Sequence, residues 1–99
     1  MSESSSGGVR LRAYRVHGRV EGVGFRWRTR SVAVQLGLGG RVQNLSTGSV
    51  EVHAAGRLDM LEQFEAQVAE GPQFARVTSI ENIEPDGEML HESFDIVLQ

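Results

Sequence analysis

Alternating apolar and polar residues near the start of the chain predict a β-strand. Residues 9 to 17 place apolar side chains at nearly every second position, with one irregularity at Tyr14, and most positions between them carry arginine or histidine. This period of two is typical of a strand with one buried face. The segment that follows, Gly18 to Gly24, holds three glycines in seven residues and predicts a loop.

Helical spacing predicts two helices. The first covers Phe25 to Leu36, with apolar residues at 25, 32, 33 and 36 before a terminating glycine. The second ends at Gly71-Pro72, and acidic residues such as Glu62 and Glu65 occupy the face that we expect to be solvated. The predicted apolar stripe of this second helix consists of Leu58, Leu61, Phe64, Ala66 and Val68.

Further segments predict strands. Residues 41 to 44 and the alternating residues 50 to 54 form a hairpin around the turn Leu45 to Gly48. Residues 75 to 83 are rich in β-branched side chains, and residues 94 to 98 alternate, so these two segments indicate strands four and five, or one strand with an irregular partner. The resulting order, β-α-β-β-α-β, predicts an α+β, ferredoxin-like α/β sandwich: an antiparallel sheet with both helices packed on one face.

This topology predicts where two segments meet. Strand one, helix one and strand two form a right-handed crossover, so the two strands run parallel and end at the same edge of the sheet. The glycine-rich loop after the first strand and the turn after the second therefore come together. We expect Arg26 and Asn44 to be neighbours.

Length and composition limit the organisation of the chain. With 99 residues and 39% hydrophobic content, the chain can bury one core, so we predict a disordered Ser- and Gly-rich tail at 1–8 and a single domain at 9–99. No apolar run approaches the roughly 18 residues that cross a bilayer, and no secretory or lipidation signal is visible. We expect a cytoplasmic monomer with no membrane partner.

The charged residues and the lack of cysteine restrict the chemistry. Without cysteine there is no disulfide, thiol nucleophile, Cys-ligated zinc or redox pair. All 10 basic residues are arginine, which excludes a Schiff-base lysine and leaves guanidinium groups as the strong cations. Eight of the 10 fall between Arg10 and Arg41 although the net charge is -3. This distribution suits a local anion better than nucleic acid, although a solvated basic face explains it equally well.

The segment Gly18 to Gly24 offers a candidate anion site. Glycines allow positive φ angles, successive N–H groups can point inward, and the dipole of the following helix favours negative charge. Arg26, in the first helical turn, could present two parallel donors to a phosphate. A loop of this kind is equally typical of a tight strand-to-helix turn that binds nothing.

Two stretches of sequence resemble the signatures of the acylphosphatase family. They are VHGRVEGVGFR at 16–26 and GRVQNLSTGSVEV at 40–52, and the resemblance extends over about nine-tenths of the chain. It implies an α/β sandwich without metal or cofactor, a phosphate-binding Arg26 and a water-orienting Asn44. It also implies a phosphate cradle that consists of Gly18, Arg19, Val20, Glu21, Gly22, Val23 and Gly24.

The sequence departs from the family pattern at three positions. Glu21 stands where many relatives carry glutamine, while Arg41 and Gln43 stand where an aromatic and a basic residue are common. We expect Glu21 to point to solvent. An inward Glu21 would oppose phosphate binding unless it were protonated, so activity would rise at lower pH.

The predicted function is the hydrolysis of acyl phosphates to a carboxylate and inorganic phosphate. A carboxylate leaving group, with a conjugate-acid pKa of about 4, departs without a proton, whereas a phosphate monoester ordinarily needs a general acid that neither Arg26 nor Asn44 supplies. Arg26 and the loop would stabilise the equatorial oxygens, and the Asn44 amide would fix the attacking water. A phosphate oxygen of the substrate is the expected acceptor of the water proton.

Other residues have simpler explanations. His17, His53 and His91 lack metal-like spacing and are interpreted as surface or edge histidines. Phe25 is expected to pack in the core, and Trp27 to cover the helix surface, although both could line a pocket for the acyl group.

A phosphate-sensing module and an RNA-binding domain are the alternative functions. A phosphate-sensing module could keep the fold and the cradle without turnover, but it would have no need of Asn44. An RNA-binding ferredoxin-like domain would need interleaved aromatics on its central strands, and these strands lack them.

Overall fold

The computed structural model describes residues 8–89 and 92–98, and they form five strands and two helices. The predicted tail at 1–8 lies outside the described residues except for Gly8. The chain order is β-α-β-β-α-β with a further strand at its end. The elements are β1 (Arg10–Arg19), α1 (Phe25–Gln35), β2 (Gly39–Asn44), β3 (Val50–Gly56), α2 (Leu58–Glu70), β4 (Arg76–Asn82) and β5 (Phe94–Val97).

The strands form one sheet in the order β4-β1-β3-β2-β5. The pairs β1–β3, β1–β4 and β2–β3 are antiparallel, whereas β5 lies parallel to β2, so the sheet is mixed. The ferredoxin-like fold class is confirmed, and the antiparallel arrangement expected from the sequence applies to four of the strands. Alternation reveals that a segment is a strand but not its direction, because direction depends on how the chain returns to the sheet.

The core lies between the sheet and the two helices. Tyr14 and Val16 of β1 face it, as do the inward residues of β2 and β3. Phe64 of α2 meets Phe94 of β5 edge to face, with ring centroids 5.9 Å apart. Each such apolar side chain contributes about 2 kcal/mol through burial. Phe25 belongs to this core, as the sequence predicted.

Three details of the predicted elements are wrong. Ala66 is exposed, because α2 buries a narrower stripe of Leu61, Phe64 and Val68. Pairing with β3 runs without interruption through Tyr14, and the irregularity of β1 lies instead between His17 and Gly18. The strand then continues to Arg19, so Gly18 and Arg19 end β1 and do not belong to the loop.

The segment after β4 contacts the sheet face opposite the helices. The Asp86 carboxylate pairs with Arg41 of β2 at 2.9 Å, and the backbone N–H of Asp86 donates to Nδ1 of His53 at 3.1 Å. Nε2 of His53 lies 2.8 Å from the Glu51 carboxylate. His53 is therefore only 4% exposed, which contradicts its interpretation as a surface histidine. His91 lies outside the described residues.

Candidate active site

β1 and β2 end at the same edge of the sheet. Each pairs antiparallel with β3, so the two strands run in the same direction. A cavity of about 460 Å³ opens where they end, and Arg26 and Asn44 both line it. Arg26 and Asn44 are therefore neighbours, as the crossover topology predicted. The described residues that line it are Glu21, Arg26, Asn44, Leu45, Ser46 and Leu98.

Gly18 sets the direction of the chain as it leaves β1. Its φ is +127°, and a Cβ at this position would lie 2.0 Å from the Arg76 carbonyl oxygen of β4. No other residue fits here without displacing backbone. The close approach of β1 to β4 therefore depends on glycine, and it bends the chain into the loop.

The loop passes directly into α1. The N-cap residue Gly24 has the left-handed φ of +78°, and Arg28 N–H donates the first helical hydrogen bond to its carbonyl at 3.0 Å. The N–H groups of the first turn consequently lack acceptors within the helix. The first turn contains no acidic residue, so the positive end of the helix dipole is not neutralised there.

The predicted cradle residues divide into two groups. Only Glu21 and Arg26 line the cavity with Asn44. Val20 is 1% exposed and Val23 packs against the core, so these side chains anchor the loop. The cavity lining does not include Gly18, Arg19, Val20, Gly22, Val23 or Gly24.

Arg26 enters the cavity with its charge uncompensated by the described residues. Its Nη1 donates to the Val97 carbonyl of β5 at 3.4 Å, which holds the half-buried guanidinium against the edge of the sheet. Five other arginines form ion pairs with carboxylates, but within residues 8–89 and 92–98 Arg26 forms none. The remaining N–H donors and the positive charge of the guanidinium favour the binding of an anion.

Asn44 is the last residue of β2 and pairs with Val50 across the hairpin. The turn that follows is closed by two hydrogen bonds, from Leu45 N–H to the Ser49 carbonyl at 2.8 Å and from Gly48 N–H to the Leu45 carbonyl at 3.0 Å. The short, closed turn fixes the backbone from which the Asn44 amide projects.

Glu21 is exposed, as expected from the sequence, but it also borders the cavity. The site therefore places one carboxylate at the rim and one guanidinium inside. The rim carboxylate disfavours an anion through Coulomb repulsion, although solvent at this exposed position weakens the effect.

Comparison with known proteins identifies the family. The acylphosphatase family model matches residues 12–96. The chain belongs to the acylphosphatase family. A curated acylphosphatase from Thermotoga petrophila is 48% identical over 84 residues, which cover 83% of this chain and 90% of that protein.

Solved structures of acylphosphatases have the same fold. The crystal structure of acylphosphatase from Bacillus subtilis superposes with a TM-score of 0.83 at 35% identity, covering 92% of this chain and 100% of that chain. An acylphosphatase from Coxiella burnetii gives a TM-score of 0.79 at 33% identity, covering 90% and 93%. These matches confirm the resemblance drawn from the two motifs and support the expected enzymatic function, the hydrolysis of acyl phosphates.

A chain of side-chain hydrogen bonds, which we call the relay, joins the strands next to the candidate site. Ser49, at the end of the Asn44 turn, lies 2.8 Å from Nδ1 of His17, and Nε2 of His17 lies 3.1 Å from the Glu81 carboxylate. His17 directly precedes Gly18, so the relay connects the cradle strand to the turn that carries Asn44. Its members are far apart in sequence, and no local pattern predicts their contact.

Sequence reasoning also missed part of the cavity wall. The sequence predicts only turn residues at Leu45 and Ser46 and an alternating strand that includes Leu98, whereas all three line the cavity. Leu98 is 74% exposed and lies beyond the end of β5. Leu98 reaches the cavity because β5 pairs parallel with β2.

Neither helix in the described part of the chain combines the length and the apolar character that crossing a bilayer requires. Across residues 8–89 and 92–98, no three histidine, aspartate or glutamate side chains converge to form a metal site.

Proposed function

We propose that the chain hydrolyses the carboxyl–phosphate bond of acyl phosphates, with Arg26 and the backbone of residues 18–24 binding the phosphate and Asn44 orienting the attacking water. The observation that carries this assignment is that Arg26 and Asn44 line one cavity in a chain of the acylphosphatase family. Phosphoryl transfer depends chiefly on positioning and charge stabilisation, and these two residues supply one function each.

Arg26 stabilises the transferring phosphoryl group in this mechanism. Its guanidinium is planar and permanently charged, and it can donate to two equatorial oxygens at once. The first-turn N–H groups of α1 and the loop backbone add donors and the positive end of a helix dipole. Val20 and Val23 contribute by packing their side chains inward, which holds the loop backbone in place.

Asn44 positions the nucleophile. Its amide can accept a hydrogen bond from a water molecule and donate one to the phosphate. Water attacks phosphorus as the acyl carboxylate departs, and the water proton passes to a phosphate oxygen, so the products are a carboxylate and inorganic phosphate. Each atom and charge is accounted for without a protein base.

The same site predicts selectivity for the leaving group. None of the described residues that line the cavity is histidine, tyrosine, lysine or cysteine, and its one carboxyl, Glu21, is exposed at the rim. A carboxylate leaves without protonation, whereas an alkoxide ordinarily needs a general acid. We therefore propose that phosphate monoesters are poor substrates and that the reaction uses neither metal nor cofactor.

We also propose that the protein acts as a cytoplasmic monomer whose only partners are small acyl phosphates and inorganic phosphate. Size-exclusion chromatography with light scattering tests the oligomeric state, and a mass of one chain is expected. A stable dimer would contradict the proposal.

One assay tests the proposed function. Purified protein is incubated with acetyl phosphate or benzoyl phosphate and, in parallel, with a phosphate monoester, each with excess chelator, and inorganic phosphate is measured. Release from the acyl phosphates alone is expected. Phosphate binding without release would indicate a sensing module, and release that stops with chelator would indicate a metal-dependent enzyme; either result would overturn the proposal.

A further inference from the structure

A second cavity adjoins the proposed phosphate site. It has a volume of about 380 Å³, and Leu98 lines both this cavity and the first one. The other lining residues are Trp27, Arg30, Asp95 and Ile96, so this space, which we call the acyl cavity, lies between α1 and β5. None of the turn residues 44–46 lines it.

Exposed apolar side chains concentrate along this side of the molecule. The described residues expose five large apolar side chains, and two of them, Trp27 at 66% and Leu98 at 74%, line the acyl cavity. A third, Val34, lines the next cavity along α1, which shares Arg30 with the acyl cavity. Adjacent apolar side chains that remain exposed beside a polar site are typical of a surface that binds an apolar group.

Charge in the acyl cavity does not favour either sign. Arg30 and Asp95 both line it and carry opposite charges. Arg30 Nε donates to the Phe94 carbonyl at 2.9 Å, and the Asp95 carboxylate accepts from the Ser93 hydroxyl at 3.2 Å. Because the charges oppose one another, Trp27 and Leu98 determine what the cavity attracts.

The geometry of the proposed reaction points the acyl group toward this cavity. In-line displacement places the leaving group on the opposite side of phosphorus from the water. Asn44 holds the water, and the acyl cavity adjoins the phosphate site at Leu98 without contact with the Asn44 turn. A departing carboxylate and its attached body can therefore occupy the space beside Trp27.

We propose that Trp27 and Leu98 form a specificity subsite that binds the acyl body and favours acyl phosphates with aromatic or bulky apolar acyl groups over acetyl phosphate. The inference rests on the proposed function. An aromatic acyl group would stack on the exposed indole and remove apolar surface from water, whereas an acetyl group is too small to reach it.

The test compares two substrates in matched variants. For Trp27→Ala we expect kcat/KM for benzoyl phosphate to fall about tenfold, while that for acetyl phosphate falls less than twofold. Trp27→Phe should restore most of the loss, because the aromatic face remains. Leu98→Ala should lower kcat/KM for benzoyl phosphate, relative to that for acetyl phosphate, by a smaller factor of about threefold. Phe74→Ala removes an aromatic side chain that is 73% exposed but lies outside both cavities, and it should leave both values unchanged.

The outcomes separate the two proposals. A wild-type protein that hydrolyses both substrates, with Trp27→Ala lowering both equally or neither, would overturn the subsite and leave the proposed function intact. A wild-type protein that hydrolyses neither acyl phosphate would overturn the proposed function and the subsite together.

Discussion

Arg26 lines the cavity that we propose binds phosphate, donates to the Val97 carbonyl and forms no ion pair with the other described residues. We expect Arg26→Lys to lower kcat/KM for acetyl phosphate by about a hundredfold or more, because a point ammonium cannot form the bidentate contact with phosphate. Steady-state phosphate release measures the effect. Arg28→Lys is a matched control two positions along α1, where the arginine lines neither cavity and pairs with Glu70 at 3.6 Å, and it should retain turnover. Equal activity of the two variants would remove Arg26 from the mechanism.

Asn44 should affect turnover more than binding. We expect Asn44→Ala to lower kcat by roughly a hundredfold, while the inhibition constant of inorganic phosphate changes by less than threefold, because in the proposed mechanism the amide orients water and Arg26 holds the anion. Gln43→Ala changes the neighbouring side chain on the opposite face of β2 and serves as the control. If Asn44→Ala lost phosphate affinity and kept its kcat, the assigned role would be wrong.

At the scale of single residues, the sequence predicted that Arg26 and Asn44 would be neighbours, and both line one cavity, but it did not predict the residues around them. Each of the two residues lies in a motif beside a strand that the local sequence pattern predicts. Burial of His53 depends on Asp86, which is 33 positions away, and the cavity wall formed by Leu98 depends on how β5 joins the sheet. Such contacts arise from tertiary packing and leave no signal in local periodicity.

The connection between β1 and α1 requires glycine at position 18. Replacement of Gly18 by alanine would place a Cβ 2.0 Å from a backbone oxygen of β4, in a conformation unfavourable for any side chain. We expect Gly18→Ala to lower the free energy of unfolding by about 3 kcal/mol and to reduce phosphate affinity, because the loop must shift. Denaturant unfolding and phosphate titration measure the two effects.

Gly87→Ala provides the control for this substitution. Gly87 is exposed, and among the described residues, its two chain neighbours aside, a Cβ there would meet no heavy atom within 4 Å. Its replacement should change the free energy of unfolding by less than about 0.5 kcal/mol. Equal stability of the two variants would show that β1 does not need its close approach to β4.

At the scale of elements, periodicity, turn residues and β-branched content together predicted each helix and strand to within a few residues. Periodicity succeeded because core-facing residues recur at the period of their element: Tyr14 and Val16 in β1, and Leu61, Phe64 and Val68 in α2. In β3 the buried residues 52–55 follow one another without alternation, because this strand lies at the centre of the sheet. Periodicity did not predict the parallel pairing of β5, because that strand reaches the sheet edge through a connection with no regular pattern of its own.

The whole molecule should lose stability at acid pH. Burial raises the pKa of Glu51, but hydrogen bonds from His53 and Arg15 outweigh it, so the pKa lies below its ordinary value of 4.5. The Glu88 N–H and Arg41 lower the pKa of Asp86 below 3.8. Carboxyls with lowered pKa values in the folded state stabilise it above their ordinary pKa values, and this stabilisation is lost as the pH falls through the folded values.

A melting series tests this sign. We expect Tm to be steady above pH 5 and to fall as the pH drops below about 4.5, with a shallower fall in Glu51→Gln because its titration is removed. Glu62→Gln, on the exposed face of α2, should follow the wild type. A Tm that rises as the pH falls below 4.5 would contradict the assignment.

The guanidinium groups of Arg26 and Arg30 both rest on main-chain oxygens of β5, a strand of four residues that pairs with β2 along one side at the margin of the sheet. Short marginal strands open locally at a lower free energy than the rest of a domain. Partial detachment of this strand would free the Arg26 side chain, for which phosphate binding is proposed, and would remove one wall of each cavity, while the other four strands kept their pairing. Under mild denaturing conditions, we expect such a molecule to lose activity before it unfolds.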